Sequence, residues 1–239
     1  MRRTALFAAV ASVASLTLAA MPAAEAVSKP SDTRLVGAAS CAGGGEGKLV
    51  STVDAAGAEH AVFSASGVPF KRWSGQLLPD GDATAPPADG ATMLELVARH
   101  GRFSTGAARS DAGTLNASAS FVSGNKRGTC MIATSHDGSK YELVSAVGDL
   151  SVQGSARRGL FLAEIQGKPH HKYDVVLTAK TSAGVKHWKS KTHTLRTGLV
   201  SAGVSTSRSR NVGSFTKLSA TFTDRTNKHA VPIHLKLTR

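Results

Sequence analysis

Cysteine, aromatic residues and long apolar runs are all scarce in this chain. Its 239 residues hold two Cys, two Trp, two Tyr and eight Phe. No C-x-x-C occurs, so a thiol-redox role has no local motif. No H-x-x-x-H or H-x-H occurs, and Asp80-Gly81-Asp82 lacks the further carboxylates of a calcium loop, so no metal is expected. There is no G-x-S-x-G, and no local sequence marks a carboxylate pair, so no catalytic residue and no cofactor is assigned. A triad assembled from distant residues stays open at this point.

The one long apolar stretch runs from Ala5 to Ala20, after Met1-Arg2-Arg3 and before Ala24-Glu25-Ala26. That order reads as a secretory signal peptide over residues 1–26, too short and too alanine-rich for a membrane anchor. Ordinary secretion is favoured over the twin-arginine route because no Ser or Thr precedes Arg2-Arg3. Lipidation at Cys41 is disfavoured because residues 28–34 are polar and charged. No membrane span is expected, and the expected location is extracellular. The composition resembles exported bacterial proteins. In an oxidising compartment Cys41 and Cys130 read as one disulfide.

Acidic residues are scarce in the second half only. Residues 27–150 carry 11 Lys+Arg and 12 Asp+Glu, a net of −1, whereas residues 151–239 carry 16 against 3, a net of +13. Six of the nine His also lie there. Such a split suggests two parts with different partners, the basic one meeting an anionic polymer or an acidic protein surface. The competing reading is charge that serves solubility.

What is abundant is Ser, Thr, Gly, Ala and Val in period-two runs. Thr114–Val122 alternates with Leu115, Ala117, Ala119 and Phe121 inward. Thr129–Thr134 and Lys140–Val147 flank Asp137-Gly138, a hairpin signal. Leu160–Ile165, Lys172–Lys180, Gly184–Arg196, Leu199–Ser205, Ser214–Thr223 and Val231–Leu237 all read as strands. Thr92–His100 favours helix by propensity and strand by its setting, and is read as strand. The expected fold is all-β, an antiparallel sandwich or barrel-like arrangement of two small β-domains. Residues 27–47 are read as a flexible leader, 48–150 as a disulfide-stapled domain and 151–239 as a basic domain, with the boundary at Leu150–Gly159.

The strand Gly184–Arg196 supplies the candidate anion-binding residues Lys186, His187, Lys189, Lys191, His193 and Arg196. Extended, it places His187, Lys189, Lys191 and His193 on one face, a cationic ridge against which a merely solvated face must be weighed. The expected role is non-catalytic binding. An extracellular hydrolase or hydrolase inhibitor without a local motif is the first alternative, and a secreted adaptor in a protein assembly the second.

Overall fold

The computed structural model describes residues 33–79, 93–111, 113–125, 127–137, 140–147, 150–157, 160–166, 170–181, 184–189, 193–194, 199–205, 215–227 and 229–239. All regular structure among them is β, in two antiparallel sheets. The chain enters the first sheet with β1 (Thr33–Ser40), β2 (Glu46–Val53) and β3 (Glu59–Ser66). It crosses to the second sheet for β4 (Arg72–Pro79) and β5 (Leu94–Val97). It returns for β6 (Arg102–Ser104) and β7 (Ala108–Ser110), which both pair with β3.

The second sheet is then built as a meander of β8 (Ala117–Ser123), β9 (Thr129–Asp137), β10 (Lys140–Val147), β11 (Leu150–Arg157) and β12 (Leu160–Gln166). The first sheet resumes with β13 (Lys172–Thr181), β14 (Gly184–Lys189) and β15 (His193–Thr194). After β16 (Leu199–Ser205) has joined β12, the chain closes with the hairpin β17 (Phe215–Asp224) and β18 (Ile233–Thr238). The ten-stranded sheet A runs β14-β13-β17-β18-β1-β2-β3-β6, with β15 on β13 and β7 on β3. The eight-stranded sheet B runs β16-β12-β11-β10-β9-β8-β4-β5.

The sheets lie face to face strand by strand: β13 over β16, β17 over β12, β18 over β10 and β11, β1 over β9 and β10, and β3 over β4. This is a β-sandwich-like architecture with one continuous core from Leu35 to Leu237. Many strands alternate as the pleat demands. In β17, Leu218, Ala220 and Phe222 are buried; in β18, Ile233, Leu235 and Leu237 are buried. Phe63, Phe103, Phe121 and Trp73 pack together at one end, with Phe63 and Phe121 stacked at 5.1 Å and Trp73 tilted against Phe103 at 5.2 Å. The indole N–H of Trp73 donates to the Phe70 carbonyl at 2.9 Å, which satisfies the buried ring's one polar atom.

The disulfide Cys41–Cys130 is present, with a Cα separation of 4.5 Å. It fastens the end of β1 to β9, and so sheet A to sheet B, with both cysteines buried. Beside it, Ala42 and Thr129 exchange both backbone hydrogen bonds.

Two stretches take a different place from the one expected. Residues 33–40, within the expected leader, form β1, which is hydrogen-bonded to β2 on one side and β18 on the other. Leu150–Arg157, the expected boundary, is β11, paired with β10 and β12. Both sheets therefore contain strands from either side of residue 150. The physical reason is the same in both cases. Beyond Leu35, described core-facing positions of these strands are small (Gly37 and Ala39 in β1, Gly154 and Ala156 in β11), so the apolar period is faint in the sequence. A Cβ at Gly37 would run into the Thr134 side chain and come within 2.8 Å of Leu143 Cδ1, because β1 and the β9–β10 hairpin approach closely there.

Candidate functional site

Several of the described basic residues lie on the outer face of sheet A. Residues paired across a ladder share a face, so the register of successive strands gives the layout of that face. One row runs His187, Thr178, Ser219, Lys236, Ala38, Lys48, Ser64 and Ser104. The next runs Val185, Lys180, Lys217, Thr238, Val36, Val50 and Val62. Strands stand about 4.8 Å apart, so each row crosses more than 20 Å of sheet, roughly.

Within the second row Lys180 and Lys217 lie directly opposite one another, both exposed. Like charges in that position destabilise a sheet. The register places no acidic side chain beside them on β13, β14, β17 or β18. In the first row Lys236 pairs with the carboxylate of Glu46, while Lys48 is exposed. Arg34 and Arg102 extend the basic character towards β1 and β6. Asp174, the other acid on this face, is nearly buried and taken up by the Arg225 guanidinium, whose Nε–H donates at 2.6 Å.

His234 lies in the next row of this face, beside Lys236 and on the side away from Lys180 and Lys217. Its backbone N–H donates to Ser40 Oγ at 3.0 Å, and its ring Nδ1 lies 3.1 Å from Thr221 Oγ1. Burial lowers its imidazole pKa below the ordinary value, Lys236 lowers it further, and Glu46 only partly opposes them.

The outer face of sheet B is different. Its in-register residues include Glu95, Glu142 and Glu164 among Ser, Gln and small apolar side chains. Lys140, the nearest lysine, is paired with Glu142 at 2.6 Å. Among the described residues this face also carries the exposed Arg72, so acidic and basic side chains are mixed on it.

Of the residues expected to form a ridge, Lys186 and His187 are exposed on β14, at the edge of sheet A. His187 is opposite Thr178 on the outer face, its Nδ1 3.0 Å from Thr178 Oγ1. Lys186 is opposite Ala179, a core-facing position. Lys189 is opposite Val176 in the row of the outer face that also contains Thr221 and His234. His193, in β15, is opposite Tyr173 of β13. Lys191 and Arg196 lie outside the described residues, as do Asp80-Gly81-Asp82 and Gly138. The lysines that join His187 across the sheet, Lys180, Lys217, Lys236 and Lys48, were not singled out. Each is the only lysine or one of two in its own strand, and only strand order brings them together.

Two imidazole–carboxylate pairs lie at strand ends. Asp54 Oδ1 accepts from Ala56 and Ala58 N–H while its Oδ2 meets His60 at 2.8 Å, closing the β2–β3 turn. Asp224 Oδ1 accepts from Thr226 and Asn227 N–H while its Oδ2 meets His171 Nδ1 at 2.7 Å, fixing the entry to β13 against the end of β17. Each carboxylate is fully engaged in turn geometry. The hydroxyl contacts of ring nitrogens are made instead by His187 and His234. Among the described residues no three His, Cys, Asp or Glu side chains converge as a metal would require. Glu59 is wholly buried in the core side of β3 and contributes to neither face.

No family model matches the chain, and neither does any curated protein or solved structure.

Proposed function

We propose that this is a secreted, non-catalytic binding protein that uses the outer face of sheet A to hold an anionic polymer. The observation that carries the reading is the exposed Lys180–Lys217 pair, set side by side in a lysine-bearing face with no acidic side chain in register beside it. A bound anion turns that repulsion into attraction. The buried disulfide is compatible with an extracellular location, and the signal-like residues 1–26 supply the route.

The test is a binding titration of the intact protein with anionic polymers at low and moderate salt. Lys180→Glu/Lys217→Glu is compared with Arg72→Glu, an exposed charge reversal on sheet B. Binding that weakens steeply with salt and drops at least tenfold in the sheet A variant alone supports the reading, since phosphate-type contacts release counterions. Equal loss in both variants, or none in either, removes it.

A further inference from the structure

The loops that close one end of the sandwich carry a second cationic feature, independent of the lysine face. We infer that the turn Arg99-His100-Gly101-Arg102 is an oxyanion clamp, in which two arginine forks meet on a single carboxylate or phosphate group.

The turn leads from β5 of sheet B to β6 of sheet A. Arg99 N–H donates to the Arg102 carbonyl at 2.8 Å, and Arg102 N–H donates to the Arg99 carbonyl at 3.0 Å. Residues bridged in this way stand directly opposite one another, with Cα atoms about 5.5 Å apart and side chains on one face. Both arginines are exposed. The two central residues have positive φ, 51° at His100 and 70° at Gly101, as the tightest hairpin turns require. Gly101 adopts this freely, whereas a histidine in that region is uncommon. Like charges set directly opposite are a further cost. The turn therefore holds two guanidinium groups together against their repulsion, and an anion shared between them reverses the sign of that interaction.

Neighbouring loops add cations and no acid. The Lys71 carbonyl accepts from Ala98 N–H at 2.7 Å, and Val68 N–H donates to the Gly101 carbonyl at 3.1 Å, so residues 68–71 run beside the turn. Gly124 N–H donates to the Arg72 carbonyl at 2.9 Å, which brings a third loop to the same end. Lys71 and Arg127, on these loops, are exposed. Among the described residues none of Lys71, Arg99, Arg102 and Arg127 forms an ion pair, whereas Arg109, Lys140, Arg225 and Lys236 each hold a carboxylate. Following the register from Arg102 across Ser66, the first acid is Glu46, which Lys236 engages. Glu95, four residues before Arg99, pairs with neither arginine.

The planar guanidinium presents paired N–H donors to two oxygens of one anion, a match that carboxylate and phosphate both satisfy. Arg102 lies five strands from Lys217 across sheet A, about 24 Å, so the clamp and the Lys180–Lys217 pair are separate sites.

The experiment titrates the full chain with inorganic phosphate and with malonate, at an ionic strength held constant with sodium chloride. The backbone amide signals of residues 99–102 are followed by NMR. Saturable shifts with either probe support the clamp, and the probe that binds more tightly names its group. Arg99→Lys/Arg102→Lys keeps both charges and removes both forks, so affinity should fall roughly tenfold, the worth of about one charge-assisted hydrogen bond. Lys180→Glu/Lys217→Glu should leave affinity unchanged, since about 24 Å is well beyond the Debye length at ordinary salt. Equal binding by the arginine-to-lysine variant shows attraction by charge alone and overturns the clamp. Loss of binding in the sheet A variant, or no shift with either probe in the unaltered chain, overturns it too. The titration of the unaltered chain stands even if a variant folds poorly, and the melting temperature of each variant is checked beside it.

Discussion

Replacing Cys41 and Cys130 together by Ala removes a link that spans both sheets and 89 residues of sequence. The folded state changes little, because the adjoining Ala42–Thr129 bridge already holds the two ends together through its own hydrogen bonds. The cost lies in the unfolded chain, which is released from a loop of 89 residues. The chain-entropy relation gives about 4–5 kcal/mol for a loop of that length. For a chain of this size each kcal/mol moves the melting temperature by roughly 2–4 °C, so a fall of about 10–15 °C is expected. Thermal melts followed by circular dichroism would read this directly. The wild type in excess reductant should fall to the same value as the double variant. A shift below about 3 °C would refute the reasoning, since it would mean that the unfolded chain stays compact enough for the closed loop to cost nothing. Cys41→Ala alone should lose as much as the pair, because either change opens the same loop.

Gly37→Ala ordinarily gains a few tenths of a kcal/mol from reduced freedom of the unfolded chain, but here the new methyl meets Thr134 and Leu143, so a net loss of about 1–3 kcal/mol in urea unfolding is expected. A stabilised variant would show that the sheets part easily at β1. For Asp224, burial pulls its carboxyl pKa up, but hydrogen bonds from His171, Asn227 and Thr226 outweigh it and hold the value below the ordinary 3.8. A lowered carboxyl stabilises the fold fully above that ordinary value and loses the contribution as pH falls through the native one. The stability gap between wild type and Asp224→Asn should therefore be constant from neutrality to about pH 5 and close below about pH 4; a gap that widens in acid would contradict this. Burial, and then Asp224, pushes the Tyr173 phenol up to about 12. Its contribution is complete below the unfolded value of about 10 and is lost as pH rises towards 12, so Tyr173→Phe should flatten alkaline unfolding monitored by phenolate absorbance.

The strands with large inward residues were legible in the sequence. Leu115, Ala117, Ala119 and Phe121, or Ile233, Leu235 and Leu237, alternate with polar neighbours, and the sheets bury those residues. The β9–β10 hairpin follows Asp-Gly with Asp137 opposite Lys140. Thr92–His100, whose residues favour helix singly, contains β5, because pairing with β4 overrides a weak local preference. β1 and β11 were less legible because glycine stands at core-facing positions, Gly37 and Gly154, and interrupts the apolar period. The lysines of the candidate face were not legible as a group. Net charge pointed to an anion and drew the eye to the lysine-rich run Lys186–Arg196. Yet Lys48, Lys180, Lys217 and Lys236 are separated by up to 188 residues of sequence (236 − 48), and nothing local relates them.

That separation decides what the functional unit is. A basic half and a neutral half suggest that the second could act alone. The pairing of β18 with β1 argues against this. Without residues 33–53 the hairpin β17–β18 would lose its neighbour in sheet A, and the row that holds Lys236 would end there in place of continuing to Lys48. Sheet B would be divided too, since β11 and β12 continue directly from β10. Cutting the chain at residue 150 would expose Leu143, Leu235 and Leu237, which now face one another between the sheets, along with unpaired strand edges that invite aggregation. The amino-terminal strands are what keep the carboxyl-terminal lysines flat, spaced and turned to solvent. On the proposed reading charge would supply the attraction, and the sheet that carries the lysines is built from both ends of the chain.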